Sequence, residues 1–327
     1  TWTQSTYTDF LNGTLDNIDI NTTMGDIRML LPELLQQHWN ASGDDQASAY
    51  FGTALAFDDV NNDGYSDLII GAPYHDSSNT DAGMAYLYAG TPSGLTTTPI
   101  WTSNGENQTN ACFGIALATG DVNNDGYTDV AISAWTFDTT ESNTGKVYLY
   151  LGSASGLETL PSWTSVGDNQ TNAQFGFALT LGDVNNDGYD DLAVSAVYQD
   201  TSNSNTGKVY LYLGSASGLT TLPAWTSSGE EINNAKFGSA IAFGDLNGDG
   251  FMDLAVGADG YDGTGIDVGK VYVYHGNTSG LETVASWYST GDDQSYAYFG
   301  SALAFGDVNR DGYADLIVGA EGYDSAG

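Results

Sequence analysis

The sequence has few positive charges and no long apolar run. Six Lys and Arg residues stand against 42 Asp and Glu residues, which gives a formal net charge of -36 at pH 7. A chain with this charge repels nucleic acids and anionic membrane surfaces, so we expect no nucleic-acid partner. Because no stretch of about 18 apolar residues occurs, we also expect no membrane insertion.

Cysteine and histidine are too scarce for several kinds of site. Cys112 is the only cysteine, which excludes an intramolecular disulfide and a cysteine-based zinc site. The three histidines, His38, His75 and His275, occupy unrelated positions, and none stands beside a Ser or Cys in a recognisable nucleophile motif. The sequence therefore predicts a protein that is not an enzyme.

What the sequence does contain is one nine-residue stretch in five nearly identical copies. The copies begin at Asp59, Asp121, Asp183, Asp245 and Asp307, so each step is 62 residues. In every copy Asp, Asn, Asp and Asp stand at positions 1, 3, 5 and 9, and a Gly at position 6 favours a turn. With the backbone carbonyl of position 7, these hard oxygen donors predict a calcium loop, and hence about five structural Ca²⁺ ions.

The predicted metal ligands are the same five positions of every copy. They are Asp59, Asn61, Asp63, Tyr65 and Asp67; Asp121, Asn123, Asp125, Tyr127 and Asp129; Asp183, Asn185, Asp187, Tyr189 and Asp191; Asp245, Asn247, Asp249, Phe251 and Asp253; and Asp307, Asn309, Asp311, Tyr313 and Asp315. Position 12 is aliphatic in every copy, which excludes an EF-hand with its bidentate Glu. The alternative is a set of Asx-turn hairpins, since Asp, Asn and Gly favour such turns without metal.

Four strand-like segments accompany each copy of the loop. A Phe-Gly pair opens each unit, at 51, 113, 175, 237 and 299. Large and small residues then alternate with period two, which indicates a strand. The apolar run after the loop, such as 68–72, indicates a strand covered on both faces, and two further strands follow around 145–150 and Trp163. Four strands per repeat predict an all-β fold, a β-propeller of four-stranded blades.

These motifs resemble the FG-GAP repeat of integrin α-subunit propellers over residues 51–327: Phe-Gly, then Asp-x-Asn-x-Asp-Gly-x-x-Asp, then Gly-Ala or Ser-Ala. The resemblance implies that the calcium loops join the first and second strands of each blade on the bottom face, and that partners bind loops on the opposite, top face. The top-face loops would be 74–81, 137–143, 198–205 and 259–267, together with the connections between blades at 42–49, 104–111, 166–173, 228–235 and 290–297.

The last repeat is incomplete. Residues 299–327 hold two strands, and residues 18–50 would supply two more, with Asp26–Leu31 as the third strand and the region of Trp39 as the fourth. We therefore expect one domain at 18–327 with five blades, the last shared between the N- and C-terminal segments; a seven-bladed parent is the alternative. Residues 1–17 are left over, either as a disordered tail or as a strand donated to a neighbouring molecule.

Six Asn-x-Ser/Thr sequences mark candidate N-glycosylation sites and favour an extracellular or cell-surface location. They are Asn12, Asn21, Asn40, Asn107, Asn169 and Asn277. The sequence predicts a secreted, calcium-binding module for adhesion or recognition, with a protein or glycan ligand on the top-face loops. The alternative is a structural subunit of an extracellular fibre or surface layer, in which copies assemble head to tail by strand addition at the open last blade.

Overall fold

The computed structural model describes residues 17–21, 26–30 and 38–324. Every regular element in these ranges is a β-strand, and the same ranges contain no helix of the length and apolar character that crossing a membrane requires. Four antiparallel sheets of four strands follow one another along the chain, each a blade that keeps the predicted order of strands. The predicted all-β propeller of four-stranded blades is confirmed.

The strands fall into six groups along the chain. An N-terminal sheet contains β1 (Asn17–Asn21), β2 (Asp26–Leu30) and β3 (His38–Ala41), and blade 1 contains β4 (Ala54–Asp58), β5 (Asp67–Ala72), β6 (Met84–Tyr88) and β7 (Trp101–Ser103). Blade 2 contains β8 (Phe113–Gly120), β9 (Asp129–Ala134), β10 (Lys146–Tyr150) and β11 (Trp163–Ser165). Blade 3 contains β12 (Phe175–Gly182), β13 (Asp191–Ala196), β14 (Lys208–Tyr212) and β15 (Trp225–Ser227). Blade 4 contains β16 (Phe237–Gly244), β17 (Asp253–Ala258), β18 (Lys270–Tyr274), the short hairpin β19 (Gly276–Asn277) and β20 (Gly280–Leu281), and β21 (Trp287–Ser289). The chain then forms β22 (Phe299–Gly306) and β23 (Asp315–Ala320).

The apolar core lies between neighbouring blades. All six residues of β5, β9, β13 and β17 are buried, as their apolar runs predict for a strand covered on both faces. One cluster joins Ile69 and Leu87 of blade 1 to Val130, Ile132 and Tyr148 of blade 2. Burial of one such aliphatic side chain stabilises the fold by about 1.5–3 kcal/mol, so each blade depends on the next one for its stability.

The two halves of the repeat motif meet across a blade boundary. A Cβ atom on Gly71, at the end of β5, would lie 1.9 Å from the backbone oxygen of Gly114 in the Phe-Gly pair of the next blade. Gly114 has a φ of 90°, which residues with a Cβ rarely adopt. The same contact joins Gly257 and Gly300, where a Cβ would lie 2.0 Å from the facing oxygen. Glycine is therefore required here because two backbones touch.

A tryptophan on the fourth strand fastens each of blades 1, 2 and 3 to the blade that follows it. Trp163 Nε1 donates a hydrogen bond to the Thr220 carbonyl at 3.0 Å, 57 residues further along the chain. Its ring also meets Tyr212 edge-on at 4.9 Å, and the Tyr212 hydroxyl lies 2.9 Å from the Ser165 hydroxyl. The indole bond recurs with the same separation in Trp39–Thr96, Trp101–Glu158 and Trp225–Glu282.

The first strands of the blades pack in sequence around the centre. β4 packs on β8, β8 on β12, β12 on β16 and β16 on β22, so the strand that follows each Phe-Gly pair is the innermost strand of its sheet. β22 and β4 share no comparable contact, so the described part of the chain forms an arc with an open side.

The two ends of the arc are smaller sheets. Strands form at the two predicted places in the N-terminal segment, as β2 and β3, and β3 packs on blade 1 with Trp39 5.0 Å from Tyr88. β2 pairs with β1 and β3, however, whereas β23 pairs with β22. The shared last blade and the number of blades therefore stay predictions. Of the predicted tail at 1–17, only the first residue of β1 is among the described residues.

Candidate metal centres

The five predicted cation loops all join the first strand of a blade to the second. They occupy 59–67, 121–129, 183–191, 245–253 and 307–315. The loops between second and third strands leave from the other ends of the same strands, because neighbouring strands run antiparallel. The two kinds of loop thus lie at opposite edges of each sheet, as the resemblance implies for a bottom and a top face.

Each loop is built around the carboxylate at its first position. In the first loop Asp59 accepts hydrogen bonds from the Asp63 amide at 3.0 Å and the Gly64 amide at 2.8 Å. Asn61 accepts a second bond from the Asp63 amide, and Asp63 accepts the Tyr65 amide at 2.9 Å. These side-chain-to-backbone bonds are Asx turns, and they fold the loop so that its polar side chains face inward.

The same bonds recur in the other four loops. The bond from the position-6 glycine amide to the position-1 carboxylate measures 2.8 Å in the second and third loops, 2.9 Å in the fourth and 3.1 Å in the fifth. The hydrogen bonds of the Asx-turn alternative are therefore present in all five copies.

The aspartate at position 9 connects the loop to the rest of its blade. Asp129 is fully buried, and its carboxylate accepts the Val122 amide at 3.0 Å and the Gly152 amide at 2.8 Å. Val122 is position 2 of the loop and Gly152 follows the third strand, so one side chain links three segments of the blade. The same pair of bonds holds Asp67, Asp191 and Asp253.

Burial of this aspartate makes its negative charge costly. Burial is the largest cause that raises the pKa of Asp129 to about 7, and the charges of Asp121 and Asp125 raise it further, while the two amides lower it. The pKa of Asp191 is raised to about 7 for the same reasons. Each loop thus holds several carboxylates whose mutual repulsion a cation would relieve.

The donor set fits a hard divalent cation in chemistry. Every predicted ligand offers oxygen, and a carboxylate oxygen that accepts one amide keeps a second lone pair. In the parts of the chain that the structure describes, no three His, Cys, Asp or Glu side chains are gathered closely enough to hold a metal ion by themselves. Those four residue types do not include the asparagine at position 3 or the backbone carbonyl at position 7, and both of these belong to the predicted ligand set.

Position 4 of the loop has a left-handed backbone in all five copies. The φ angles are 53°, 54° and 55° at Asn62, Asn124 and Asn186, 71° at Gly248 and 64° at Arg310. Asn and Gly tolerate this conformation, whereas Arg in it costs about 1 kcal/mol or more. The fifth loop is therefore the strained copy.

A second set of repeated contacts, which the sequence reasoning missed, lies at the top face. Gln170 Nε2 donates to the Asp200 carbonyl at 3.3 Å, and the Asp200 amide donates to Gln170 Oε1 at 2.6 Å. We call this two-bond contact the glutamine clamp. Clamps also join Gln46 to Asp76, Gln108 to Asp138 and Gln294 to Asp324. The recurrence of Gln at the repeat period, broken only by Ile232, was the available signal.

A polar cavity opens on the top face where blades 2 and 3 meet. It has a volume of about 520 Å³, and its lining comes from three of the predicted top-face loops. The lining residues are Glu141, Asp168, Asn169, Gln170, Thr171, Gln199 and Asp200. Gln199 is buried, and Asp168 is paired with Lys208 at 2.7 Å. Glu141 and Asp200 add negative charge, so the cavity favours a ligand that carries positive charge or many hydroxyl groups.

The candidate glycosylation sites differ in their surroundings. Asn40 is exposed on β3, and Asn277 lies in the short hairpin of blade 4 with its Oδ1 bonded to the Ser279 amide at 2.9 Å. The side chain of Asn107 bonds to the hydroxyls of Ser77 and Ser78, and Asn169 bonds to Thr139. Asn21 ends β1, and Asn12 lies outside the described residues.

Two sequence profiles match the chain. The profile of the FG-GAP repeat matches residues 51–88, 113–150 and 299–327, and that of the FG-GAP-like repeat matches residues 183–256. Together they cover more than half of the chain and all five predicted loops, with the third and fourth loops inside the FG-GAP-like match.

Curated relatives are integrin α subunits. Integrin alpha-8 of Gallus gallus is 35% identical over 229 residues, which are 64% of this chain and 21% of the integrin. Integrin alpha-V of Gallus gallus is 32% identical over 224 residues, 65% of this chain and 20% of the integrin. Integrin alpha-4 of Xenopus laevis is 33% identical over 190 residues, 57% and 18% of the two chains. The chain matches about a fifth of the length of these relatives.

A solved structure of the rhamnogalacturonan lyase YesW has a TM-score of 0.43 to this chain at 13% identity, covering 90% of this chain and 53% of the lyase. A likeness of this size carries no inference about activity. The sequence profiles, the repeated loops and the glycine contacts between blades all indicate one family. The chain belongs to the FG-GAP repeat family, and its repeats are blades of an integrin α-like β-propeller.

Proposed function

We propose that this propeller is a calcium-stabilised, non-enzymatic recognition module at the outside of a cell, which binds a protein or glycan ligand on its top face. The observation that carries the proposal is the polar cavity between blades 2 and 3. Loops assigned to ligand contact from sequence alone converge there, on a rigid scaffold and at the edge opposite the cation loops. Loops placed in this way on a rigid sheet framework are where binding residues concentrate.

Calcium has a structural role in this proposal. In the second loop Asp121, Asn123, Asp125 and Asp129 would hold the ion with the Tyr127 carbonyl, and the equivalent positions would do so in the other loops. A bound Ca²⁺ supplies the positive charge that the crowded carboxylates lack. The protein itself orients one of these ligands, because the Val122 and Gly152 amides both donate hydrogen bonds to the Asp129 carboxylate.

Removal of calcium tests the structural role. We expect the unfolding temperature of the full chain to be several degrees lower in excess chelator than in millimolar Ca²⁺, since a ligand at about 100 times its Kd stabilises by about 2.7 kcal/mol per site. Asp125→Asn should reduce the difference, because it removes a ligand charge. Asn124→Gly is expected to leave the difference between Ca²⁺ and chelator unchanged, because position 4 is not a predicted ligand and the fourth loop has Gly at this position. Identical melting curves in Ca²⁺ and chelator would contradict the calcium role.

The non-enzymatic part is supported by the surroundings of the reactive groups. Cys112 is buried, and burial raises the pKa of its thiol, which disfavours the nucleophilic thiolate. His75 is buried beside Asp44 at 3.3 Å, and His275 lies 3.1 Å from the buried Asp253. Among the described residues, the Nδ1 atoms of His75 and His275 have no hydrogen-bond partner, so neither is bonded to a Ser or Cys side chain that it could activate.

A pair of threonine variants tests the top-face site. Thr171→Arg places a long cationic side chain in the cavity, so we expect at least a tenfold loss of binding on a glycan array and on immobilised extracellular-matrix proteins. Thr109→Arg is the matched control, since Thr109 occupies the same position one blade earlier and is exposed. Both changes remove an Asn-x-Thr sequence, so loss of a glycan affects both equally. Equal binding by the two variants would overturn the assignment of the cavity.

The alternative role, a subunit of an extracellular fibre or surface layer, is favoured by a different observation. The last described hairpin exposes the apolar residues Val308, in the loop after β22, and Ile317, in β23, although the equivalent positions of blades 2 and 3 are buried. An exposed apolar sheet face of this kind favours association. Regular filaments in negative-stain images of the native protein would support this role over recognition by single molecules.

A further inference from the structure

The second and third cation loops are joined by a carboxylate that the other loops lack. At position 8 the third loop has Asp190, and the other four loops have Ser66, Thr128, Met252 and Ala314. Asp190 Oδ2 accepts a hydrogen bond from the backbone amide of Asp121, the first residue of the second loop, at 2.8 Å. The Asp190 amide donates in turn to the Asp121 carbonyl at 3.0 Å. One residue of blade 3 thus holds the backbone of Asp121 on both sides.

The carboxylate of Asp190 is also packed against Gly120, the residue before the second loop. A Cβ atom on Gly120 would lie 2.6 Å from Asp190 Oδ2 and 3.0 Å from Leu181 Cβ. At the next junction the equivalent Gly182 faces the ring of Phe243, which occupies the repeat position of Leu181. The smaller leucine leaves room here for a carboxylate, so Asp190 is part of the packing between blades 2 and 3.

Asp121 is the residue around which the second loop is folded. Its carboxylate accepts the amides of Asp125 at 3.2 Å and Gly126 at 2.8 Å, and it is the predicted position-1 ligand. Asp190, which holds the backbone of Asp121, is followed directly by Asp191, the predicted position-9 ligand of the third loop. A cation that orders Asp191 therefore also restricts Asp190, and through it Asp121.

A second line of hydrogen bonds joins the same two loops. The Gly214 amide donates to the Asp191 carboxylate at 2.8 Å, and the amide of the next residue, Ser215, donates to the Val122 carbonyl at 3.1 Å. The Val122 amide donates to the Asp129 carboxylate at 3.0 Å. The position-9 carboxylates of the two loops are thus connected through three backbone amides.

We propose that Asp190 is a positioning residue that couples these two cation sites, so that Ca²⁺ in the third loop raises the affinity of the second loop for Ca²⁺. The inference rests on the proposed calcium role. The first ion orders residues that the second ion also needs in order, so the second ion binds at a smaller entropic cost. The coupling is reciprocal, because each ion must change the affinity for the other by the same factor.

The junction between the third and fourth loops gives an internal comparison. The backbone bond recurs there, since the Met252 amide donates to the Asp183 carbonyl at 3.2 Å. Met252 offers a thioether in place of the carboxylate of Asp190, and a thioether is a weak acceptor. We therefore expect the calcium affinity of the fourth loop to depend less on the third loop than that of the second loop does.

Calcium titrations of the full-length, ¹⁵N-labelled protein, followed by NMR, test the coupling. The position-6 glycine amides report on single loops, because Gly126, Gly188 and Gly250 each donate to the position-1 carboxylate of their own loop. Asp187→Asn removes a ligand charge from the third loop. We expect it to raise the Ca²⁺ concentration at the midpoint of the Gly126 shift about fivefold, and that of the Gly250 shift about twofold at most.

Substitutions of Asp190 assign the coupling to this side chain. Asp190→Thr introduces the residue of the second loop and Asp190→Ser that of the first, and in either background Asp187→Asn should hardly move the Gly126 midpoint. Asp190→Asn keeps an acceptor oxygen for the Asp121 amide and should retain most of the effect. A general loss of stability would not give this rescue by the conservative variant.

The outcomes separate the coupling from the calcium role on which it rests. If Asp187→Asn leaves the Gly126 midpoint unchanged or lowers it, the coupling is overturned while the calcium role stands. If the full effect persists with Thr or Ser at position 190, Asp190 is not the positioning residue. If no glycine amide shifts with Ca²⁺, the calcium role itself fails and the coupling fails with it. The comparison of Gly126 with Gly250 in Asp187→Asn needs no change at position 190, so it stands even where such a variant does not fold.

Discussion

The junction between blades 2 and 3 and the surface after blade 4 contain the same residue types in different surroundings. Trp163 lies under the next blade with its indole bonded to Thr220, whereas Trp287 is exposed. The flanking positions are nearly identical, Ser-Trp-Thr-Ser and Ser-Trp-Tyr-Ser. The comparison teaches that a blade of this fold does not bury its own apolar residues, and that the neighbouring blade does so.

The largest effect should come from truncating the tryptophan at each place. Trp163→Ala removes a buried aromatic side chain and its hydrogen bond, so we expect the free energy of unfolding to fall by about 3–5 kcal/mol. Trp287→Ala removes an exposed side chain, and the loss should be below about 1 kcal/mol. Urea unfolding of the two full-length variants measures both values. An equal loss in dilute protein would mean that Trp287 is covered in solution, and the contrast between the two junctions would be lost.

The position-9 aspartate gives a second contrast of the same kind. Asp191→Ala leaves the buried Val184 and Gly214 amides without their acceptor, and we expect a loss of about 3 kcal/mol. Asp315 is only partly buried and accepts the exposed Val308 amide, so Asp315→Ala should cost below about 1 kcal/mol. Unfolding is measured in excess chelator, so that loss of a bound cation does not contribute. Similar values for both variants would show that position 9 acts alike in every loop.

The glutamine clamp should give the smallest effect. Gln170→Ala removes two hydrogen bonds at the top face, both exposed to solvent, and should lower the free energy of unfolding by about 1 kcal/mol. Ile232 stands at the same position between blades 3 and 4, where no clamp forms. Ile232→Gln should therefore stabilise the protein by a few tenths to about 1 kcal/mol. A destabilising Ile232→Gln would show that this junction does not have the geometry of the others.

Much of the fold follows from the sequence because the determining signals are local. The alternation after Phe51, the apolar run at 68–72 and the turn residues between them each occur within a few residues of the strand they specify. Because the motif repeats every 62 residues, the same strands are predicted for each blade. The ligand positions of the loops could be proposed for the same reason, since all of them lie within nine residues.

Contacts between blades could not be predicted in this way. The bond from Trp163 to Thr220 joins residues 57 positions apart, and the Gly152 amide bonded to Asp129 is 23 positions away. Such pairs depend on how the sheets are placed around the centre, which no local pattern specifies. The pairing of β2 with β1 was not foreseen either. The five residues of β1, NIDIN, alternate polar and apolar side chains, but two Asn and one Asp in so short a segment are equally typical of a turn or loop.

The constant spacing of the tryptophan bonds has a mechanical consequence. Within the described part of the chain, each tryptophan bond joins one sheet to the sheet that follows it, so blades 1 to 4 behave as a row of similar units with nearest-neighbour coupling. Tension applied along the chain would act first on a terminal blade and would leave the remaining junctions intact. Each released blade would add 62 residues, or about 210 Å of extended chain, before the next one bears the load. A molecule of this kind lengthens in equal steps under load.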